Sequence, residues 1–373
     1  NTCTITLPSA AEKGDQIVLI DYARTWGTNS IFIDSNGLNY QGQADTFTVE
    51  YTTDGQSVNI VYSDATKGWV PLEDDVTALE PAPPPTQKGI FAFGNDGSGY
   101  VSVTNLCNSS GVIGNDVTGT GTARQGPGAG ATYGGDKAIF AFGTLSGGAK
   151  TNIKNLVNNS GVMASDATGV GTARSDVSAT SFGSSGEAVF AYGIAGPSLS
   201  MSNLVSSSGV VASDTTGVGT ARNRLGACSY GGDKAIFGFG ETASYNSMTN
   251  LVSSSGVIAS DTTGVGTVKI MVYATGYGAD LGIFAYGVIG SGNTNSRNLI
   301  TNTGVCGSDQ SGVGTARRSP AAMRFGSSGE AIFAYGSTNV SNKISSTGVQ
   351  ASDVTGVGTS RDFLAGAGYS QSA

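Results

Sequence analysis

The feature that most constrains this chain is that its larger part repeats itself. A segment ending in Phe-Gly or Tyr-Gly recurs at Gly94, Gly143, Gly193, Gly240, Gly287 and Gly336, with spacings of 49, 50, 47, 47 and 49 residues. An Asp-x-x-Gly-x-Gly-Thr segment recurs in step, beginning at Asp116, Asp166, Asp214, Asp261, Asp309 and Asp353. Two residues beyond each of those threonines stands a cation: Arg124, Arg174, Arg222, Arg317 and Arg361, with Lys269 in the fifth copy. A unit repeated at such a period buries its apolar face by stacking on its neighbours.

Read from residue 222, one unit predicts four strands, over 222–230, 234–240, 247–253 and 257–260, separated by Gly-, Ser- and Asp-rich turns. With 58 glycines in 373 residues, the chain is poor helix material. Period and strand count together match a blade of a β-propeller. The repeats start on a second strand, 88–94, and end on a first strand, 361–369. Six complete blades therefore require the C-terminal strand to close the blade that the N-terminal one opens.

The stretch LEPAPPPTQ at 79–87 is a stiff spacer rather than a packed element. The chain thus reads as all-β, with a small β-sandwich (or open barrel) at 1–79, a proline-rich linker at 80–87 and a six-bladed propeller at 88–373. Six short alternating runs predict the strands of the first module: 2–7, 16–22, 30–34, 46–51, 57–62 and 68–72. Both tryptophans, Trp26 and Trp69, fall there.

Composition removes much chemistry. Histidine is absent, so neither imidazole acid–base catalysis nor imidazole metal ligation is available. Residues 1–86 carry 3 Lys+Arg against 12 Asp+Glu, and residues 87–373 carry 16 against 15. Neither part has the basic surplus that nucleic acid demands, and no apolar run is long enough to insert in a membrane as a helix. The four cysteines, at 3, 107, 228 and 306, share no metal-binding spacing and read as small core residues in a reducing compartment. No cofactor is expected.

The six aspartates read as turn openers, each accepting local N–H groups, with the glycine three residues on at positive φ. One carboxylate per loop is too few for calcium. The cations read as structural, because a guanidinium offers five donors to surrounding carbonyls. A binding site must instead distinguish itself from the scaffold. The connections that follow the Phe/Tyr-Gly segments (95–100, 144–150, 194–199, 241–246, 288–293 and 337–340) differ in length and sequence and emerge on one face. Tyr100, Lys150 and Tyr245 are the side chains there best suited to contact a ligand.

The order of Arg222, Ala227, Tyr230, the apolar run 236–240 and a hairpin resembles a kelch-type repeat, with one glycine where kelch repeats have two and without their late Trp. Kelch-type oxidases need copper-ligating histidines, which are missing, and the repeats lack the aromatic-ended Asp boxes of sialidases. No enzyme is expected. The strings TCTITLP, GDQIVLIDYA, SIFIDSNG and VYSDATKGWVPLE resemble a small β-module of bacteriophage tail fibres and related virion appendages. That resemblance implies a virion protein, expected to be a homotrimer, with other virion proteins and a host-surface glycan or protein as partners. The alternative is a structural component, a fibre spacer or capsid decoration, that binds only neighbouring virion subunits.

Overall fold

The computed structural model describes residues 2–45, 49–76, 86–126 and 130–371, and every regular element among them is a β-strand. The chain divides into two compact units, 1–82 and 83–373. Most of the predicted linker, 80–85, lies outside the described residues, as do residues 46–48 of one predicted strand.

The first unit has two three-stranded sheets. In one, Cys3–Thr6 runs parallel to Ile31–Asp34, which pairs antiparallel with Val49–Tyr51. In the other, Gln56–Asp64 lies between Gln16–Ile20 and Gly68–Val76. Alternation decides the core: Val58, Ile60 and Tyr62 face inward along one strand and join Ile31, Ile33, Trp26 and Trp69 in a single cluster. The Trp69 ring meets Tyr62 edge-on at 5.5 Å. Cys3 is exposed, unlike the core residue expected, because it starts an edge strand with outward-facing ends. Cys107 and Cys228 are buried.

The second unit holds six similar sheets. A representative one sets Lys234–Gly238 between Gly226–Tyr230 and Thr249–Val252, all antiparallel. Its middle strand is apolar throughout, and Ala235, Ile236 and Phe237 are fully buried, as a strand covered on both faces must be. The sheets preceding it centre on Lys137–Leu145 and Glu187–Ala191, and those following on Leu281–Ala285 and Glu330–Ala334. The remaining sheet joins the two ends of the unit. Ala365–Tyr369 pairs antiparallel with Lys88–Ala92, Ala365 opposite Ala92 and Tyr369 opposite Lys88.

Two contact series connect each sheet to the next. Aromatic pairs bridge them at 5.3–6.0 Å: Phe93–Phe140, Phe142–Phe190, Tyr192–Phe237, Phe239–Phe284, Tyr286–Phe333 and, from the last to the first, Phe91–Tyr335. Backbone bonds do the same between the turns that join first and second strands. Gly134 donates to Gly186, Gly183 to Asp233, Gly231 to Asp280, Gly278 to Gly329, Gly326 to Gln87 and Ser370 to Asp136.

Two sequence expectations are corrected here. The predicted fourth strand is only a pair of isolated bridges, Ile258 with Val252 and Thr262 with Thr249. Between them the Asn250 side chain takes the place of a ladder, its amide donating to Ala259 O at 3.0 Å and Asp261 Oδ1 at 2.9 Å. The second strand stops at Gly238 rather than Gly240 because Phe239 turns to φ 65°.

Candidate binding site

The repeated cations come first, because they define the frame from which a site must differ. All six are 0–1% exposed. Arg174 shows how a guanidinium is spent. Its Nε donates to Tyr192 O (2.9 Å), Nη1 to Thr172 O (3.1 Å) and Nη2 to Asn203 Oδ1 (2.7 Å), with Asp214 at 3.7 Å. The other face lies 4.2 Å from the Phe142 ring centroid, on the preceding sheet. Those aromatics (Phe93, Phe142, Tyr192, Phe239, Tyr286 and Tyr335) all hold φ of 64–66°, which costs a bulky side chain energy. The glycine after each donates its N–H to the carbonyl of the following cation, so the bend places ring and guanidinium face to face.

The aspartates do not open local turns. Asp214 accepts from the Thr172 N–H at 2.9 Å, the Thr172 hydroxyl at 2.7 Å and the Asn203 amide at 2.9 Å. Asp116, Asp166, Asp261, Asp309 and Asp353 grip threonine and asparagine partners in the same way. Burial disfavours their charge, but the threonine hydroxyl and N–H, the asparagine amide and the cation outweigh it and hold all six below the ordinary carboxylate value. The glycines are also reassigned. The one three residues after Asp lies against a backbone carbonyl where a Cβ would collide, as Gly217 does with Ser200; the one five residues after takes positive φ in five copies. Each carboxylate is occupied by protein partners, and among the described residues no group of three acids, cysteines or histidines could hold a metal.

The three residues singled out for ligand contact stand on separate hairpins. Tyr100 bridges Asn95 and Tyr245 bridges Glu241, each half-buried. Lys150 Nζ donates to Thr144 Oγ1 at 3.0 Å. No hydrogen bond or ring contact among the described residues brings them together.

What does converge is a set of positions that share no residue type. Two residues after each cation stand Gly126, Asp176, Arg224, Met271, Ser319 and Phe363, all with φ of 50–57°. They surround a cavity of about 40 Å³ together with Tyr273. Backbone bonds link them: Gly126 N–H to Phe363 O, Arg224 N–H to Asp176 O and Met271 N–H to Arg224 O. One conformation is repeated six times with six different residues. Arg224 Nη1 reaches Glu241 Oε2 at 2.9 Å. Burial pushes the Asp176 carboxyl up, although Arg224 and Lys150 act against it. Ser319 is fully buried and its hydroxyl has no partner among the described residues. The signal was present in the sequence: a fixed offset from an otherwise repeated cation, with no residue in common.

A second cavity, of about 160 Å³, lies toward the turns between first and second strands. The two share a waist of small residues, Gly130, Ala179, Ala227, Ala274, Ala322 and Gly366, one from each sheet.

No protein-family model matches this chain, and no characterised protein matches it in sequence.

Proposed function

We propose that the six sheets are the blades of a kelch-like β-propeller, and that the chain is a non-enzymatic bacteriophage tail-fibre module that attaches the virion to its host. The surface that binds is the end of the unit carrying the connections after the Phe/Tyr-Gly segments. One observation carries the proposal. Scaffold positions repeat their chemistry from sheet to sheet, whereas the six positions two residues after the cations repeat only their backbone. Specificity requires asymmetry, and backbone strain at non-glycine residues is retained where surrounding structure and function hold it. The side chains offered there are an acid, a guanidinium, a hydroxyl, a thioether and an aromatic ring, a mixture suited to the polar and apolar faces of a sugar or to a protein loop.

The test is binding of the labelled chain to an array of bacterial surface polysaccharides and to intact cells. Saturable binding lost in Arg224→Ala and Asp176→Ala, and kept in Lys234→Gln at an exposed turn between first and second strands, supports the proposal. Absence of saturable binding, or binding untouched by the first two changes, overturns it. A virion reconstruction in which neighbouring subunits cover that end would favour the structural alternative.

A further inference from the structure

The larger cavity carries an inference independent of host attachment. Its walls are the first strands of the six sheets, and its lining is glycine, alanine, serine and threonine apart from Phe182, Cys228, Met323 and Arg324. Among the described residues, Arg324 is the one charged residue lining it. The equivalent residues in the other sheets are Thr132, Ser181, Ser229, Gly276 and Gly368, so a single guanidinium has been placed where its sisters are small.

The neighbouring sheet makes room for it. A Cβ on Gly276 would stand 3.3 Å from Arg324 Cδ, 3.4 Å from Nη1 and 2.8 Å from Ser229 Oγ. Arg324 Nη2 donates to Gly278 O. Nε is buried without a partner, and Nη1 makes no hydrogen bond among the described residues. Among the described residues no carboxylate lies within ion-pair distance of Arg324; Asp280 acts on it only from farther away. Arg124, Arg317 and Arg361 also bury an Nε without a partner, but each of the six repeated cations has an aspartate within 4.0 Å, and Arg324 has no such carboxylate among the described residues. The half-buried hydroxyls of Ser181 and Ser229 line the same cavity, Ser229 near the Arg324 side chain across Gly276, and form no side-chain hydrogen bond among the described residues.

We infer that this cavity binds the carboxylate of a small ligand, with Arg324 supplying the charge-matched donors and the wall hydroxyls of Ser229 and Ser181 offering further hydrogen bonds to the ligand. One cation without a second calls for a monoanion, and a planar fork suits a carboxylate. The volume, some five waters' worth at ~30 Å³ each, admits a carboxylate with a short substituent.

The probes are acetate and glucuronate titrated into the full chain at constant ionic strength, followed by NMR of the arginine Nε–H resonances and by thermal melting. The expected result is a saturable shift of the Arg324 resonance with acetate, weakened about tenfold or more in Arg324→Gln and partly retained in Arg324→Lys. Glucuronate binding as well would identify an acidic sugar as the source; its exclusion would restrict the ligand to the size of acetate. The Nε shift in the unmodified chain decides the matter even if Arg324→Gln fails to fold. An unsaturating response, an equal response in Arg324→Gln, or tighter binding of sulfate than of acetate overturns the inference.

Discussion

The guanidinium carbon of Arg222 lies 4.5 Å from the centroid of the Tyr192 ring, on a residue whose φ is 65°. The strained backbone of one sheet and the buried cation of the next are therefore a single device. Arg222 also donates to Phe239 O at 2.9 Å and Asn250 Oδ1 at 2.5 Å. Removing it leaves those acceptors and Asp261 uncompensated, so Arg222→Ala should destabilise the unit by about 3 kcal/mol. Stacking adds its own share. In a double-mutant cycle with Tyr192→Gly, urea denaturation should return a coupling of about 1 kcal/mol. A coupling near zero would mean that the ring tolerates its conformation for reasons unrelated to the arginine.

Lys269 departs from the arginine at the other five junctions, and that junction should be the weakest of the six. Its ammonium reaches Asn298 Oδ1 at 2.7 Å and Asp309 Oδ1 at 3.0 Å. It has no counterpart to the bond that every arginine at this position makes to a threonine carbonyl two residues back. Lys269→Arg should restore that bond to Thr267 and stabilise the unit by about 1 kcal/mol, seen as a raised denaturation midpoint at unchanged slope. A lower midpoint would show that Phe239 and its surroundings leave no room for the fork.

Acid should attack the clamps. Six carboxylates have folded values below their unfolded ones, so their contribution is complete above the unfolded value near ~3.9 and is lost as pH falls toward the folded values. Asp309, held at about 2 against burial by Thr267, Lys269 and Asn298, is the last to protonate. Asp176, raised by burial, works the other way but is one against six. Melting temperature should therefore fall steeply below pH ~4, and Asp309→Asn should lower stability at neutral pH while flattening that fall. A melting temperature level down to pH ~2 would contradict the assignment.

The C-terminal strand should be indispensable. Deleting residues 361–373 removes the partner of Lys88–Ala92 and the Arg361 bond to Asn105, exposing apolar edges on the first and last sheets. The truncated chain should aggregate or melt well below the intact one. Solubility and melting unchanged from full length would refute the pairing.

How much of this was legible in the sequence differs from link to link. The repeat exposed the six sheets, and counting strands showed that the two ends of the unit must meet, because period-two burial and spacing are local properties. The roles of aspartate and asparagine were not legible. Asp214 meets Thr172 across 42 residues, and nothing in a loop's composition distinguishes that clamp from a turn. The fourth strand failed for a related reason: Asn250 competes with the ladder through its side chain, which hydrophobic alternation does not register. Tyr100, Lys150 and Tyr245 have the chemistry and variability of contact residues, but convergence is a property of the fold. The positions around the small cavity share a fixed offset from the cations in the sequence, but the left-handed conformation that unites them is a property of the fold.

That shared conformation yields the last prediction. Met271 holds φ 54° where Gly126 holds 50° at the equivalent position, so the backbone there accepts glycine without rearrangement. Leaving the left-handed region to a non-glycine side chain costs roughly 1–2 kcal/mol, only partly offset by the ~0.5–1 kcal/mol that glycine loses in chain entropy. If the strained side chains are kept for binding, Met271→Gly should melt at or above the temperature of the unmodified chain and yet bind cells or polysaccharide several-fold more weakly. Tyr245→Ala, on a hairpin of its own, should change adsorption less than Met271→Gly does. If Tyr245→Ala abolished adsorption while Met271→Gly left it intact, the contact would lie on the outer hairpins, and the residues around the cavity would be scaffold alone.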